Sequence, residues 1–220
     1  MIDPSFEGRR AFILENTRLQ TPPHTPELEL HLADEITPIW KMTEEALAEI
    51  SLPPPFWAFA WAGGQALARY ILDNPQVVAG KRIIDFASGS GIVGIAAMQA
   101  GAAHVLAADI DGFCGAALSL NARANGVAVD FTDANLLDAP APEAEVILAG
   151  DICYEKPMAD AVMAWLAQAR ARGTTVLIGD PGRSYFPRSG LTKLAEYQVA
   201  TTRELEDQEV KKTSVWTLPA

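Results

Sequence analysis

From Phe56 onward the chain alternates short apolar runs with longer segments whose apolar residues recur every three to four positions. Short runs bounded by turn residues read as buried strands, and the longer periodic segments as amphipathic helices. Leu67, Tyr70 and Ile71 share one helical face before Pro75 and Gly80 end that helix. Arg82 to Phe86 predicts the first strand, 91–100 a helix of small residues able to lie close to a sheet, and His104 to Ala108 the second strand. Phe113, Ala117, Leu120 and Ala124 mark a helix that Gly126 stops. Val127 to Thr132 predicts a third strand, Val146 to Ala149 a fourth, and Thr175 to Gly179 a fifth. Between the last two, Pro157 opens a helix carrying Ala161, Val162, Trp165, Leu166 and Ala169.

Strands alternating with helices imply parallel pairing through right-handed crossovers, with both sheet faces covered. After the fifth strand the rhythm breaks. A Gly- and Pro-rich loop from Asp180 to Gly190 and a short helix lead to strands at Glu196 to Glu204 and Thr213 to Leu218. Only the charged turn Glu206 to Lys212 separates these two, too little for a crossover, so they form an antiparallel hairpin. The expected fold is α/β: a doubly wound, mostly parallel seven-stranded, Rossmann-like sheet that ends in an antiparallel hairpin. Ahead of it, residues 1–52 read as a polar, irregular N-terminal extension broken by Pro22, Pro23, Pro26 and Pro38, with a short helix over Thr43 to Ile50. Pro53-Pro54-Pro55 then makes a stiff hinge, dividing 1–52 from a main domain over 53–220.

At 220 residues, with 49% hydrophobic and 20% charged, the chain suits one globular core with a modest appendage. The formal charge of −11 would repel a phosphate backbone, so no nucleic-acid partner is expected. Residues 1–50 hold ten Asp/Glu against four Lys/Arg, a patch suited either to a basic protein partner or simply to solvation. The only cysteines, Cys114 and Cys153, form no C-x-x-C or Cys/His cluster, so neither a disulfide framework nor a metal site is expected. Arg9-Arg10 superficially resembles a twin-arginine export signal, but Glu15, Asn16, Arg18 and Gln20 interrupt any following apolar stretch. No apolar run reaches the roughly 18–20 residues that span a bilayer. The expectation is a cytoplasmic monomer without a membrane partner.

Candidate chemistry starts in the loop after the first strand, Asp85-Phe86-Ala87-Ser88-Gly89-Ser90-Gly91. Gly89 and Gly91 permit a tight turn and a close ligand approach, and the following helix offers free N–H groups. Asp109 ends the second strand, twenty residues after Gly89, where a carboxylate can accept both hydroxyls of a ribose. The competing readings are an ordinary tight turn, with Asp109 and Asp111 as helix caps. Gly89, Gly91 and Gly94 also satisfy G-x-G-x-x-G, so a nicotinamide dehydrogenase competes. Against it stand Asp85, which would repel a pyrophosphate but could hold an amino acid's ammonium, and the absence of any Tyr-x-x-x-Lys pair. The terminal hairpin also has no place in the usual dinucleotide fold. S-adenosylmethionine, with a ribose, an α-ammonium and no phosphate, matches these charges better.

From Phe56 to the C-terminus the chain resembles the seven-stranded class I methyltransferases. Within that class, Phe56-Trp57-Ala58-Phe59-Ala60-Trp61-Ala62-Gly63-Gly64 and Gly150-Asp151-Ile152-Cys153-Tyr154 resemble the protein-lysine methyltransferases with a D-x-x-Y/F motif, in the branch that modifies the electron transfer flavoprotein beta subunit. The resemblance implies S-adenosylmethionine as cofactor and that subunit as protein partner. It places Asp85, Gly89 and Gly91 around the methionine end of the cofactor, Asp109 at the ribose and Asn135 near the adenine, with Trp61 and Gly150 completing the pocket. Ala62 stands where the family often has Pro. Trp57 and Trp61 also read as core aromatics. Methylation of a ribosomal protein such as L11, or of a small amine, is the alternative activity. A cofactor-binding protein without turnover is the non-enzymatic one.

Substrate is expected beyond the fourth strand, at Asp151 to Tyr154. Amide methyltransferases are similar to one another in an Asn-Pro-Pro-Tyr motif there, whereas a carboxylate suits a target that arrives as a cation. Asp151 is assigned to steering and positioning the amine, and Tyr154 to an aromatic wall with cation–π potential. The competing reading makes Asp151 a cap for the helix at Pro157 and Tyr154 packing. Cys153 is expected to be inert. The acidic extension and the loop from Ser184 to Gly190 are candidates for partner recognition.

Overall fold

The computed structural model describes residues 3–33, 39, 53–201 and 209–219. The expected helix at Thr43 to Ile50 and most of the hairpin turn lie outside them. Five helices are described, α1 (Phe6–Asn16), α2 (Ala62–Asp73), α3 (Ile92–Gln99), α4 (Gly112–Ala124) and α5 (Lys156–Ala171). Strands β1 (Arg18–Gln20) and β2 (Leu30–Leu32) form a small antiparallel ribbon. The main sheet holds β3 (Arg82–Phe86), β4 (His104–Ala108), β5 (Asp130–Thr132), β6 (Val146–Gly150), β7 (Thr175–Asp180), β8 (Thr192–Ala200) and β9 (Val210–Thr217), in the order β5-β4-β3-β6-β7-β9-β8. The strands β3 to β7 pair in parallel, and β9 runs antiparallel between β7 and β8.

Side-chain alternation divides the sheet between two cores. Ile83, Val105, Val146, Leu148 and Leu177 face α2, α3 and the inner side of α4, while Ile84, Phe86, Ile147, Ala149, Val176 and Ile178 face α5. Both faces being covered explains why these strands carry apolar residues at successive positions rather than alternating. The expected third strand is shorter, since residues 127–129 approach the sheet without joining its ladder. No short helix precedes the hairpin: β8 begins at Thr192 and passes a register shift between Lys193 and Ala195.

The N-terminal residues depart most from expectation. Helix α1 is capped by Ser5, whose hydroxyl accepts the Gly8 amide at 3.0 Å. It buries Ile13 beside α4, with Phe12 edge-on to Phe113 at 5.8 Å. Leu28, Leu30 and Leu32 then enter the same core as α2 and α3. The four prolines had masked this pattern: the buried residues sit in pieces too short to show a period.

Candidate active site

The neighbours β3 and β6 send their connections to opposite sides of the sheet, so the switch point, where open α/β sheets form their ligand crevice, lies beyond their carboxyl ends. On the β3 side, Ala87, Gly89 and Gly91 have φ of 54°, 51° and 81°, so the chain coils back tightly enough for the Gly91 amide to reach Ser88 O at 2.7 Å. Ala87 is a non-glycine in the left-handed region, a strain that accumulates at functional sites. A side chain on Gly91 would collide with Leu118, whereas Gly89 faces only the Phe56 carbonyl, 3.8 Å from where its Cβ would stand. The Ser88 hydroxyl is buried without a hydrogen-bond partner, a donor available to a ligand.

Asp109 fixes this loop. Its Oδ2 accepts the Gly89 amide at 3.0 Å and its Oδ1 the Asp111 amide at 3.1 Å. Asp111 is the helix cap, accepting the Phe113 amide at 2.9 Å. The two acids, alike in sequence, therefore have separate duties. Between them Ile110 is 75% exposed, an apolar surface at the crevice edge that sequence reading passed over. Its signal was an isolated aliphatic residue flanked by strand-end acids.

Asp85 stands differently from expectation. Its carboxyl is 1% exposed and accepts the Gly94 amide at 2.8 Å, clamping the first turn of α3 rather than presenting itself to an ammonium. Burial pushes its pKa up to about 8. Asn135 is exposed after β5; its Oδ1 accepts the Leu137 amide at 3.2 Å and its Nδ2 donates to Asp138 at 2.9 Å, so it organises the turn at that edge of the crevice.

On the opposite side, Gly150 ends β6 and Asp151 follows with φ 58°, again left-handed and non-glycine. Helix α2 starts directly over this point, its Gly63 and Gly64 laid against Gly150 and Gly179 with no room for a Cβ between the backbones. The Gly64 amide donates to Asp151 Oδ2 at 2.9 Å. Gly150 thus admits a helix more than it lines a pocket. Asp151 does not cap α5, whose N-cap is Glu155. Nor is it a bare carboxylate: Arg183 donates to its Oδ1 through Nε at 3.0 Å and a terminal nitrogen at 2.6 Å. Arg183 was missed because it lies in the loop after β7, thirty-two residues away.

Phe56 joins the two halves. Its carbonyl, beside Gly89, accepts Trp61 Nε1–H at 2.9 Å, and its ring lies 5.9 Å from Trp61 and 5.5 Å from Tyr154. Phe56 and Tyr154 remain nearly half exposed, an aromatic rim. Arg183 lies 5.6 Å from the Trp61 ring. Trp57 is core, fully buried and stacked on Phe113 at 5.7 Å. Cys153 is buried and its thiol is pushed up to about 12 by desolvation and by Asp180 and Asp151, which leaves it protonated and unreactive. No cluster of potential metal ligands occurs among the described residues.

The family model for ribosomal protein L11 methyltransferase (PrmA) matches residues 65–176. The electron transfer flavoprotein beta subunit lysine methyltransferase of Xenopus laevis is 38% identical over 213 residues, covering 94% of this chain and 85% of that protein. The Homo sapiens protein of that name is 36% identical, with 98% and 82% covered. The chain belongs to the electron transfer flavoprotein beta subunit lysine methyltransferase family. A ribosomal protein L11 methyltransferase of Aeromonas hydrophila is 39% identical over 89 residues, 33% of this chain. The similarity thus spans 94–98% of the chain, including residues ahead of Phe56. The fold agrees: the ribosomal protein L11 methylase of Lactobacillus delbrueckii subsp. bulgaricus superposes with a TM-score of 0.52 at 18% identity, covering 74% of this chain and 81% of that one. Magnesium protoporphyrin IX methyltransferase from Synechocystis PCC 6803, solved with bound SAM, gives 0.52 at 13% identity over 71% and 78%.

Proposed function

We propose that this protein transfers a methyl group from S-adenosylmethionine to lysine on the electron transfer flavoprotein beta subunit, acting as a cytoplasmic monomer without a nucleic-acid or membrane partner. The single observation that carries the reading is that one aromatic residue, Phe56, lies between the nucleoside-type loop, where its carbonyl faces Gly89, and Tyr154, three residues beyond the carboxylate Asp151 that follows β6. Similarity over more than nine-tenths of the chain to enzymes named for that subunit supports the substrate.

The residues fit the cofactor's chemistry. Gly89 leaves the backbone approachable, the Ser88 hydroxyl lacks a partner, and Asp109 is held by two amides with acceptor capacity left for a ribose diol. When bound, S-adenosylmethionine supplies a methyl group on a positively charged sulfur. The lysine reaches it through the aromatic rim, where Phe56, Trp61 and Tyr154 exclude water and offer π faces to a cation. Desolvation there favours loss of the ammonium proton to water. Asp151, fixed by Gly64, orients the resulting amine. Ser88, Gly89 and Asp109 would hold the cofactor so that its methyl group is available to this neutral amine, the C–S bonding pair leaving with sulfur.

Purified electron transfer flavoprotein incubated with the protein and labelled cofactor, then mapped by mass spectrometry, should carry label on lysine of the beta subunit. Label on ribosomal protein L11 but not on that subunit would overturn the substrate assignment. Asp109→Ala should weaken cofactor binding by calorimetry. Asp151→Ala should keep cofactor affinity and lose methyl transfer, and full activity in that variant would remove Asp151 from the site.

A further inference from the structure

A carboxylate facing a lysine creates a difficulty that the geometry itself addresses. An uncompensated Asp151 would stabilise the ammonium form of the substrate, the form without a lone pair. In the structure Asp151 already carries a cation: Arg183 donates twice to Oδ1, and the pair is largely withdrawn from solvent, with 19% and 11% of the two side chains exposed. Further contacts among the described residues hold Arg183 in place. Asp180 Oδ1, at the end of β7, accepts the Arg183 and Gly182 amides at 2.8 and 2.7 Å, fixing the turn, and the guanidinium lies over Trp61.

We propose that Arg183 is a positioning residue for methyl transfer: by neutralising Asp151 it lets that carboxylate orient the substrate amine while a fixed positive charge beside it disfavours the ammonium. The inference rests on the reading of Asp151 as the amine's partner. A guanidinium suits the task because it stays charged at every working pH and its planar fork holds one geometry. A neighbouring cation is a general means of lowering a lysine's basicity.

Other ionisable groups face the same place. Asp180 and Asp151 lie at the ends of β7 and β6, Cys153 and Tyr154 follow Asp151, and the charges of Glu155 and Asp109 act on Tyr154. Cys153 and Tyr154 are both pushed upward by burial, and burial also pushes Asp180 up to about 7, so Asp180 needs its own control.

The test is the pH profile of kcat, which reports ionisations in the enzyme–substrate complex, for methylation of the beta subunit at saturating substrate, from pH 6 to 10, in wild type, Arg183→Gln, Arg183→Lys and Asp180→Asn, with thermal unfolding to verify folding. Arg183→Gln should move the acid limb up by about one pH unit, a tenfold loss at pH 7 that shrinks at high pH. Arg183→Lys, which keeps a cation, should recover much of the shift. A loss by the same factor at every pH in Arg183→Gln, or a limb that moves only in Asp180→Asn, would overturn the proposal. Asp151→Asn with undiminished transfer would overturn the reading of Asp151 as well; Asp151→Asn impaired alongside an unmoved limb in Arg183→Gln would overturn this inference alone.

Discussion

Replacing Gly63 by Ala tests the junction on which the site is built. A Cβ there would stand 2.6 Å from Asp151 Oδ2 and 2.8 Å from its Cγ, and would also collide with the Gly179 carbonyl. None of these is the free end of a flexible chain: Gly179 is sheet backbone, and Asp151 is held by Gly64 and Arg183. The start of α2 must therefore lift. Overpacking of a close-packed contact costs about 1–3 kcal/mol. Losing the Gly64 amide bond to an ionised carboxylate adds about 1.5–3 kcal/mol. A total of about 2.5–6 kcal/mol, with a urea slope of about 2–3 kcal/mol/M, lowers the unfolding midpoint by roughly 1–3 M. Gly80→Ala is the control, with φ 71° and nothing within 4 Å of its Cβ, so it should show only the roughly 1–2 kcal/mol of left-handed strain. Methyl transfer should fall in Gly63→Ala beyond what partial unfolding explains, since Asp151 is displaced. An unfolding midpoint equal to that of Gly80→Ala, with activity retained, would refute the reasoning.

Stability should decline as pH rises from about 4 to about 8, because burial raises Asp85 to about 8 and Asp180 to about 7 from 3.8, so the folded state binds protons that the unfolded chain has released. Asp85→Asn, which keeps an acceptor for the Gly94 amide, should flatten that decline in melting curves between pH 5 and 9; an unchanged slope would rule Asp85 out as its source. Asn121→Ala removes a fully buried amide that accepts the His31 N–H at 2.7 Å and donates to Ser90 O at 2.8 Å. It leaves two groups unpaired at about 1–3 kcal/mol each, and calorimetry should show weaker cofactor binding as well as lower stability. Tyr154→Ala should raise KM for the protein substrate while cofactor affinity stays the same, and an unchanged KM would take the aromatic rim out of substrate binding.

The sequence spelled out the parts of this fold whose signals are local. The runs Arg82 to Phe86 and His104 to Ala108 are strands with the expected bounds, since each starts at an exposed charged or polar residue and then carries side chains that both sheet faces cover. Glycines with required conformations, Gly89 and Gly91, marked the loop for the same reason. What stayed hidden depends on contacts between distant residues. Leu28 to Leu32 pack against α2 and α4 but form too short a stretch to show a period. Asp85 and Asp109 are indistinguishable as strand-end acids, yet one is buried under Gly94 and the other holds Gly89. The partner of Asp151 comes from another strand's loop, and nothing in the spacing of Asp151 to Tyr154 announces Arg183.

The N-terminal residues bear on the site through Asn121. Its side chain links the backbone of β2 to the carbonyl of Ser90, inside the glycine loop, and Asn125 repeats the connection one turn later by accepting the Glu29 amide at 3.0 Å. Arg69 of α2 pairs with Glu27 at 2.7 Å on the other side of the same segment. The ribbon thus spans the two helices that flank the crevice: α4, which follows the ribose acid, and α2, which starts over Asp151. A loop holding Ala87 and Gly89 in left-handed conformations persists only when its surroundings over-determine it. The ribbon supplies part of that constraint through Asn121, which ties β2 to Ser90.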